Sequence, residues 1–330
     1  MSRDEFDFDV DDSKVERMLK KARWKQLFKM ILISSVLFIV LSLGGAIGLS
    51  HLQQRAYNDT TRDVEMMRHI TRPNTELGAI TRHDGLLKST VEYQTYKVIE
   101  GQPVAWEEEV YTFKVWNSFR EVTNKNPLTI VDDAVVGLGK IDQTSERYNY
   151  QTMQRDMQFY FPFLAYHEYI NDAKSLHDEN TVAELAVSFD SSYTVSEIKE
   201  MLPEGVRPVW YWVDTYDDKE SYKDPDGPQF FTESSYDVYG FPAKQGMIEY
   251  GNGTEKDFLL AIESGLEAEG KYYDEYKRLY DYLRGEKEKP TAKDVKIFGV
   301  VVTGTEAALA QLSEAPYAKA TVLGAMAEKR

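Results

Sequence analysis

The sequence predicts an α+β protein: a single transmembrane helix followed by a mixed α/β extracytoplasmic region. Three observations indicate this class. Residues 30–50 form one uncharged, apolar run. Residues 77–117 alternate between apolar and polar side chains, as strands of a half-buried antiparallel sheet do. Residues 184–216 and 295–325 each read as strand, helix and strand, and this shared plan indicates two related halves in a ferredoxin-like arrangement.

Composition excludes several classes of protein and site. The chain has 330 residues, a net charge of -16 and no cysteine. Disulfides, thiolate zinc sites and thiol redox motifs are therefore excluded. The negative charge argues against direct nucleic-acid binding, because a polyanion would be repelled. An extracytoplasmic domain without disulfides is more typical of bacteria than of a eukaryotic secretory pathway.

The uncharged run from Met30 to Ser50 is long enough to cross a bilayer. At 1.5 Å per residue it spans about 30 Å as a helix. A cleaved signal peptide is the alternative, since Ala46-Ile47-Gly48 would suit a signal peptidase. The run exceeds the usual signal length and follows a long charged region, so the sequence favours a permanent anchor.

Charge around this run predicts its orientation. The N-terminal flank carries one acid, Glu16, among seven basic residues, which are Lys14, Arg17, Lys20, Lys21, Arg23, Lys25 and Lys29. The flank after the run balances its arginines with acids. The positive-inside rule then places the N-terminus in the cytoplasm and the C-terminal domain outside the cell membrane.

The segment before the membrane run predicts a short basic amphipathic helix. Ser13 and Glu16 have the spacing of a capping box. Apolar residues follow at helical spacing and form the candidate partner-binding stripe, which consists of Val15, Met18, Leu19 and Ala22. Two interpretations stay open. In one, the cations of the helix rest on lipid headgroups; in the other, the helix binds a partner protein through the stripe.

Gly44 and Gly48 form a GxxxG pair within the run. Such pairs can bring two membrane helices together as a homodimer, but small residues are also common in membrane helices. Both interpretations remain open from the sequence.

The sequence divides into five predicted segments. These are a cytoplasmic tail (1–29), the transmembrane helix (30–50), a stalk (51–76), a β-rich extracytoplasmic region (77–175) and a C-terminal α/β domain (176–330). Residues 151–166 could form a strand or a helix. In the last segment, Thr194 with Glu197 predicts a helix start, and Thr254 and Thr305 predict two more. The helical region after Thr254 is expected to break near Gly265 and Gly270.

No catalytic constellation, cofactor motif or convincing metal site is found, so the sequence does not predict an enzyme. Residues Asp224, Asp226, Gly227 and Glu233 match part of an EF-hand loop, but Tyr222 stands where the first acid should be. Acidic turns match such fragments by chance. Trp210, Trp212 and Tyr216 share one face of a predicted strand, where core packing is favoured over sugar binding.

Several stretches resemble the bacterial sigma-factor-regulator family. In its N-terminal part these are KARWKQLFKM (21–30), RPNTELG (72–78) and EEVYTFKVW (108–116). In its C-terminal part they are ELAVSFDSSYTVSEIKEML (184–202), VWYWVDTY (209–216), VYGFP (238–242), IFGVVVTGT (297–305) and YAKATVLGA (317–325). The resemblance implies a membrane-bound regulator of an extracytoplasmic-function sigma factor in Bacillus-type bacteria.

Two functions follow as hypotheses. The first is an anti-sigma factor or envelope-stress sensor, whose tail contacts a sigma factor or another membrane protein while the outer domain senses. The alternative is an anchored binding module for a cell-wall polymer or a membrane partner, without contact to a sigma factor.

Overall fold

The computed structural model describes residues 12–116, 118–123, 128–129, 146–223, 232–243 and 253–329. It divides into two compact units, one ending at Arg55 and the other beginning at Ala56. The structure describes neither the acidic first residues of the tail nor Asp224, Asp226 and Gly227 of the EF-hand-like fragment.

The described part of the first unit, residues 12–55, is helical. Helix α1 comprises Asp12–His69 and includes the predicted transmembrane run. Within the described residues it is the one helix long and apolar enough to cross a membrane. Its apolar side chains between Met30 and Ile47 are exposed around the whole circumference. A helix that is apolar all round needs an apolar surrounding, and this supports the single-pass anchor.

A four-stranded antiparallel sheet opens the second unit. Its strands are β1 (Glu76–His83), β2 (Lys88–Ile99), β3 (Gln102–Lys114) and β4 (Ser118–Glu121), and they lie in chain order. The tight turn between β2 and β3 uses positive φ at Glu100 and Gly101, the conformation that two-residue hairpins require. One face of the sheet packs on Ala56 and Val64 of α1.

The connection from β4 to the next long strand has little regular structure where it is described. It contains the short strands β5 (Leu128–Thr129), β6 (Arg147–Tyr148) and β7 (Gln158–Phe159). The undecided stretch 151–166 is thus mostly irregular, with β7 as its regular element among the described residues. Its aromatic side chains are buried nevertheless, including Phe159, Tyr160 and Phe161.

A five-stranded sheet forms the centre of the second unit. Its strands are β8 (Thr181–Tyr193), β9 (Arg207–Val213), β11 (Gly240–Pro242), β12 (Ile297–Thr305) and β13 (Ala318–Glu328), with β10 (Glu233–Ser234) pairing separately with β7. The order is β11-β9-β12-β8-β13, and every neighbouring pair is antiparallel. Strands β8, β9, β12 and β13 lie where the sequence predicts strands within residues 184–216 and 295–325.

Short helices follow β8 and β12. Helix α2 (Val195–Met201) begins with the predicted capping box, in which Thr194 and Glu197 satisfy each other's backbone amides. Helices α3 (Glu255–Glu267) and α4 (Tyr273–Arg284) precede β12, and α5 (Glu306–Leu309) follows it. The hydroxyl of Thr305 accepts a hydrogen bond from the amide of Ala308, so the predicted cap there is confirmed.

The predicted break near Gly265 and Gly270 is confirmed, because α3 ends at Glu267 and α4 begins at Tyr273. Gly265 is needed for packing. A Cβ at this position would lie 2.4 Å from the ring of Tyr276, so the missing side chain lets α4 lie close against α3.

Two separate cores cover the five-stranded sheet. One contains α2, α3 and α4 side chains such as Ile198, Phe258 and Leu279. The other is aromatic and includes Trp210, Trp212 and Tyr216, which are at most 7% exposed. These three side chains pack with Phe159 and Phe161, so the core interpretation of this strand face is confirmed.

Candidate functional site

The structure places the candidate partner-binding stripe on the first three turns of α1. Val15, Met18 and Leu19 are 37%, 65% and 54% exposed, and Ala22 is also exposed. Helical periodicity puts the four side chains on one face, with Arg17 and Lys20 on the opposite one. An exposed apolar face of this kind is the pattern that a helix presents to a hydrophobic groove.

The predicted capping box at Ser13 is wrong. Helix α1 already includes Asp12, so Ser13 lies inside the helix and does not precede it. The glycine pair Gly44 and Gly48 also lies within α1, with open space around both positions in the single chain. The homodimer contact through these glycines stays a prediction.

In the second unit, the segment between α1 and β1 brings several elements together. We call residues 70–75 the junction segment. Its Ile70 side chain is fully buried in the helix-covered core, and the Ile70 carbonyl accepts a hydrogen bond from Gly240 at the end of the five-stranded sheet. Arg72 and Asn74 adopt positive φ angles of 63° and 48°, which are uncommon for residues with a side chain. The turn is therefore held by its surroundings.

A buried ionic cluster lies beside the junction segment. We call it the arginine–glutamate cluster and define it as Arg68, Arg72, Glu109 and Glu121. Arg68 donates to Glu109, and Nε of Arg72 lies 2.9 Å from Oε1 of the same carboxylate. A second Arg72 nitrogen lies 3.2 Å from Oε1 of Glu121. The hydroxyl of Tyr111 donates to the remaining Glu109 oxygen at 2.9 Å.

Burial and charge act in opposite directions on Glu109. Its side chain is fully buried, which by itself would raise the pKa, but the guanidinium groups of Arg72 and Arg68 outweigh burial and lower the pKa to about 2. The same attraction overcomes burial at Arg72 and raises the pKa of its guanidinium. Glu109 and Arg72 therefore stay charged at neutral pH.

Glu107, two residues earlier on β3, behaves differently. It accepts hydrogen bonds from the Tyr236 hydroxyl at 2.9 Å and from Asn149 at 3.2 Å. Burial and, second to it, the nearby negative charge of Glu109 raise its pKa to about 7. Two glutamates on one strand face therefore differ strongly in their affinity for a proton.

A second buried ion pair joins the two sheets. Lys97 of β2 lies 2.6 Å from Glu184 of β8, and both side chains are at most 2% exposed. The ammonium group of Lys97 also lies 4.0 Å from the centre of the Trp106 ring. Asn74 of the junction segment donates to the other Glu184 oxygen at 2.7 Å. The junction segment thus contacts a buried glutamate of each sheet, through Arg72 on one side and Asn74 on the other.

This arrangement makes the junction segment sensitive to the position of each sheet. Arg72 forms an ion pair with Glu109 of the four-stranded sheet, while Asn74 donates a hydrogen bond to Glu184 of the five-stranded sheet. Both partners are buried, so a displacement of either sheet leaves a charge without its partner, which is costly in a low-dielectric interior. Such a segment can couple a change in the sheets to the end of α1.

The second unit also has an acid-lined cavity of about 350 Å³. Its lining is Thr215, Tyr216, Asp217, Tyr222, Glu233, Asp237, Tyr239, Glu275 and Arg278. Burial and, second to it, the negative charge of Asp237 raise the pKa of Glu233 to about 7. In the described part of the chain, no group of three or more His, Asp and Glu side chains is placed to hold a metal ion.

Comparison with known families identifies the chain. A family model described as "Sigma factor regulator N-terminal" matches residues 16–104, and one described as "Sigma factor regulator C-terminal" matches residues 173–325. The chain belongs to the sigma factor regulator family. The description is that of a regulator and not of an enzyme. No curated protein and no solved structure matches this regulator.

The two family regions contain most of the structural features above. The N-terminal region includes Met18, Leu19 and the junction segment, while the C-terminal region includes Glu184. Glu107 and Glu109 lie between the two regions. Sequence reasoning missed these glutamates, although strand alternation could have found them. On β3 they share the buried face with Tyr111 and Phe113, where a carboxylate is unexpected.

Proposed function

We propose that this regulator is an anti-sigma factor, which holds an extracytoplasmic-function sigma factor at the cell membrane until envelope stress releases it. The observation that carries the proposal is the exposed apolar stripe directly before a membrane-spanning run in a chain of this family. The stripe supplies a contact for a protein groove, and the run keeps that contact at the membrane.

The topology is part of the proposal. Residues 1–29 are cytoplasmic, 30–50 span the membrane, and the stalk (51–76), the β-rich region (77–175) and the C-terminal domain (176–330) are extracellular. The one-sided clustering of lysine and arginine before the run supports this orientation. Protease added to wall-stripped intact cells should digest the large domain and spare a tag at residue 1. Digestion of the tag would reverse the topology.

We also infer a ferredoxin-like plan for the five-stranded sheet. Four of its strands lie in the order β9-β12-β8-β13, with β8 and β9 flanking β12. Helix α2 connects β8 to β9, and α5 lies between β12 and β13. Two interleaved strand–helix–strand connections of this kind define the split βαβ plan. Helices α3 and α4 and strand β11 would then be insertions between the two halves.

Sensing requires a path from the outer unit to α1. The junction segment supports such a path, because Arg72 and Asn74 bind one partner on each sheet. A stimulus that shifts the balance between two positions of the sheets would change which of these contacts forms. The stimulus itself is left open by this proposal.

The sharpest test replaces the stripe. Burial of a Met or Leu side chain contributes about 1.5–3 kcal/mol, so Met18→Asp together with Leu19→Asp should cost at least about 3 kcal/mol of binding, roughly a hundredfold in affinity. We expect genes controlled by the partner sigma factor to be transcribed without stress, while the double variant stays at normal abundance in the membrane fraction.

A matched control separates protein binding from lipid binding. Lys20→Gln together with Lys21→Gln weakens attraction to anionic lipid but leaves the stripe intact, so sequestration should persist. If transcription is unchanged both in the Met18/Leu19 double variant and in a strain without the gene, sequestration by this tail is wrong. The anchored binding module would then be the better interpretation.

A further inference from the structure

The four-stranded sheet ends in an exposed apolar tip. Leu86 and Leu87 lie in the turn between β1 and β2, and Trp116 lies in the turn after β3. These three residues, which we call the sheet tip, are 75%, 51% and 61% exposed. The two turns are neighbours, because the amide of Val115 donates to the carbonyl of Leu87 at 3.3 Å. Large side chains clustered and exposed in this way indicate an interaction surface.

Positive charge surrounds the base of the tip. Lys88 and Lys114 are paired across the β2–β3 ladder and are both exposed. The ammonium group of Lys114 lies 5.2 Å from the centre of the Trp116 ring. The acid closest in sequence, Asp84, is bound to Arg82 at 2.6 Å. Tryptophan and leucine with flanking lysines are the side chains favoured at the boundary between lipid headgroups and acyl chains.

The direction of β3 within the second unit is fixed by two contacts with α1. Arg68 contacts Glu109, whereas the ring of Tyr57 lies 6.1 Å from that of Phe113. Going from Glu109 to Phe113, the strand therefore runs toward the earlier residues of α1. Arg82 of β1 also lies 4.4 Å from the Tyr57 ring, so both turns of the tip extend beyond Tyr57 in this direction.

Chain connectivity limits how far Tyr57 can lie from the end of the apolar run. Tyr57 follows Ser50, the last residue of the apolar run, by seven residues. Such a stretch covers about 10 Å as a helix and no more than about 25 Å fully extended. The length of this stretch lets Tyr57, and the end of the sheet that packs on it, reach the leaflet from which the apolar run emerges.

We propose that the sheet tip inserts into the headgroup region of this leaflet, with Leu86, Leu87 and Trp116 in the upper acyl layer and Lys88 and Lys114 on anionic headgroups. This contact rests on residues 30–50 spanning the membrane and does not depend on the sigma factor. It gives the outer unit a second attachment to the bilayer besides the anchor helix. A change in the lipid surface would then act directly on the four-stranded sheet.

The chain has no cysteine, so a single introduced thiol can carry a nitroxide probe. The full chain with Leu86→Cys is labelled and reconstituted in phosphatidylethanolamine vesicles containing phosphatidylglycerol. Collisions of the probe with oxygen, which concentrates in lipid, are compared with collisions with a water-soluble nickel chelate. Leu260→Cys on α3 is the matched control, since Leu260 is 58% exposed and distant in sequence from the tip.

We expect oxygen collisions to dominate at position 86 and nickel collisions to dominate at position 260. Adding Trp116→Asp to the Leu86→Cys chain should return the probe to water, with its nickel accessibility rising several-fold. Replacing phosphatidylglycerol by phosphatidylcholine should raise nickel accessibility as well, because the lysines lose their anionic partners. An unchanged urea midpoint of the labelled chains verifies that they are folded.

Nickel accessibility at position 86 equal to that at position 260 would overturn the proposal. Protection from both reagents, with spin–spin broadening that disappears on dilution with unlabelled chain, would also overturn it, because a second copy would then cover the tip. Oxygen dominance that survives the change to phosphatidylcholine would overturn the role assigned to Lys88 and Lys114.

Discussion

Glu109→Gln should destabilise the second unit far more than an ordinary conservative change. The substitution keeps the volume of the side chain and removes its charge. Arg68 and Arg72 then lose their shared carboxylate while their side chains remain 7% exposed. Glu121 still reaches Arg72 at 3.2 Å, so one guanidinium keeps a partner and the other is left without the carboxylate that neutralises it.

The size of the effect follows from this burial. Removing one partner of a buried ion pair typically costs about 3–5 kcal/mol, because the remaining charge has no water to solvate it. For a unit of this size, urea lowers the free energy of unfolding by about 3 kcal/mol per molar. The urea midpoint should therefore fall by about 1 M or more.

Tryptophan fluorescence of the full chain in mild detergent measures this midpoint, since Trp210 and Trp212 are buried in the second unit. Glu107→Gln is the matched control on the same strand face. With a pKa of about 7, Glu107 is neutral in a large fraction of molecules at neutral pH, so losing its charge should cost less than about 1 kcal/mol. Equal decreases of the urea midpoint in the two variants would mean that water reaches Arg68 and Arg72 and solvates their charges.

Three further predictions follow from the second unit. Its free energy of unfolding should fall as pH rises from about 5 to about 8. Burial raises the pKa values of Glu107, Asp156 and Glu233 to about 7, 6 and 7, so in this range the folded state binds protons that the unfolded state has released. Urea titrations at each pH measure this free energy, and an increase with pH would contradict the prediction. Thr194→Ala should lower the same free energy by about 1 kcal/mol through loss of the capping box, whereas Thr194→Ser should restore most of it. Residues 54–330 expressed alone should show a cooperative thermal transition that a chelator leaves unchanged; a loss on chelation would revive the EF-hand-like fragment.

Local features of this fold were predictable because their signals lie within a few residues. The cap at Thr194, the helix break near Gly270 and the buried strand around Trp210 all depend on neighbours in sequence. All three are confirmed. The cap at Ser13 was wrong because α1 already includes Asp12, so a capping-box spacing alone did not identify the helix start.

The buried ionic contacts could not be predicted in the same way. Glu109 lies about forty residues from Arg68 and Arg72, and Glu184 lies about ninety from Lys97. The chain has 55 acidic residues, so composition gives no reason to select these pairs. Only the packing of α1 and the two sheets brings the partners together. The sequence could at most mark the buried face of β3 as unusual, because it alternates carboxylates with aromatic rings.

The order of the five-stranded sheet also has a consequence for biosynthesis. Strand β8 is buried along most of its length and lies between β12 and β13, which follow it by about a hundred residues. Until those residues have left the ribosome, both hydrogen-bonding edges of β8 have no permanent partner. An apolar strand with open edges readily aggregates. Folding of this chain should therefore depend strongly on folding factors that hold the nascent strand until synthesis is complete.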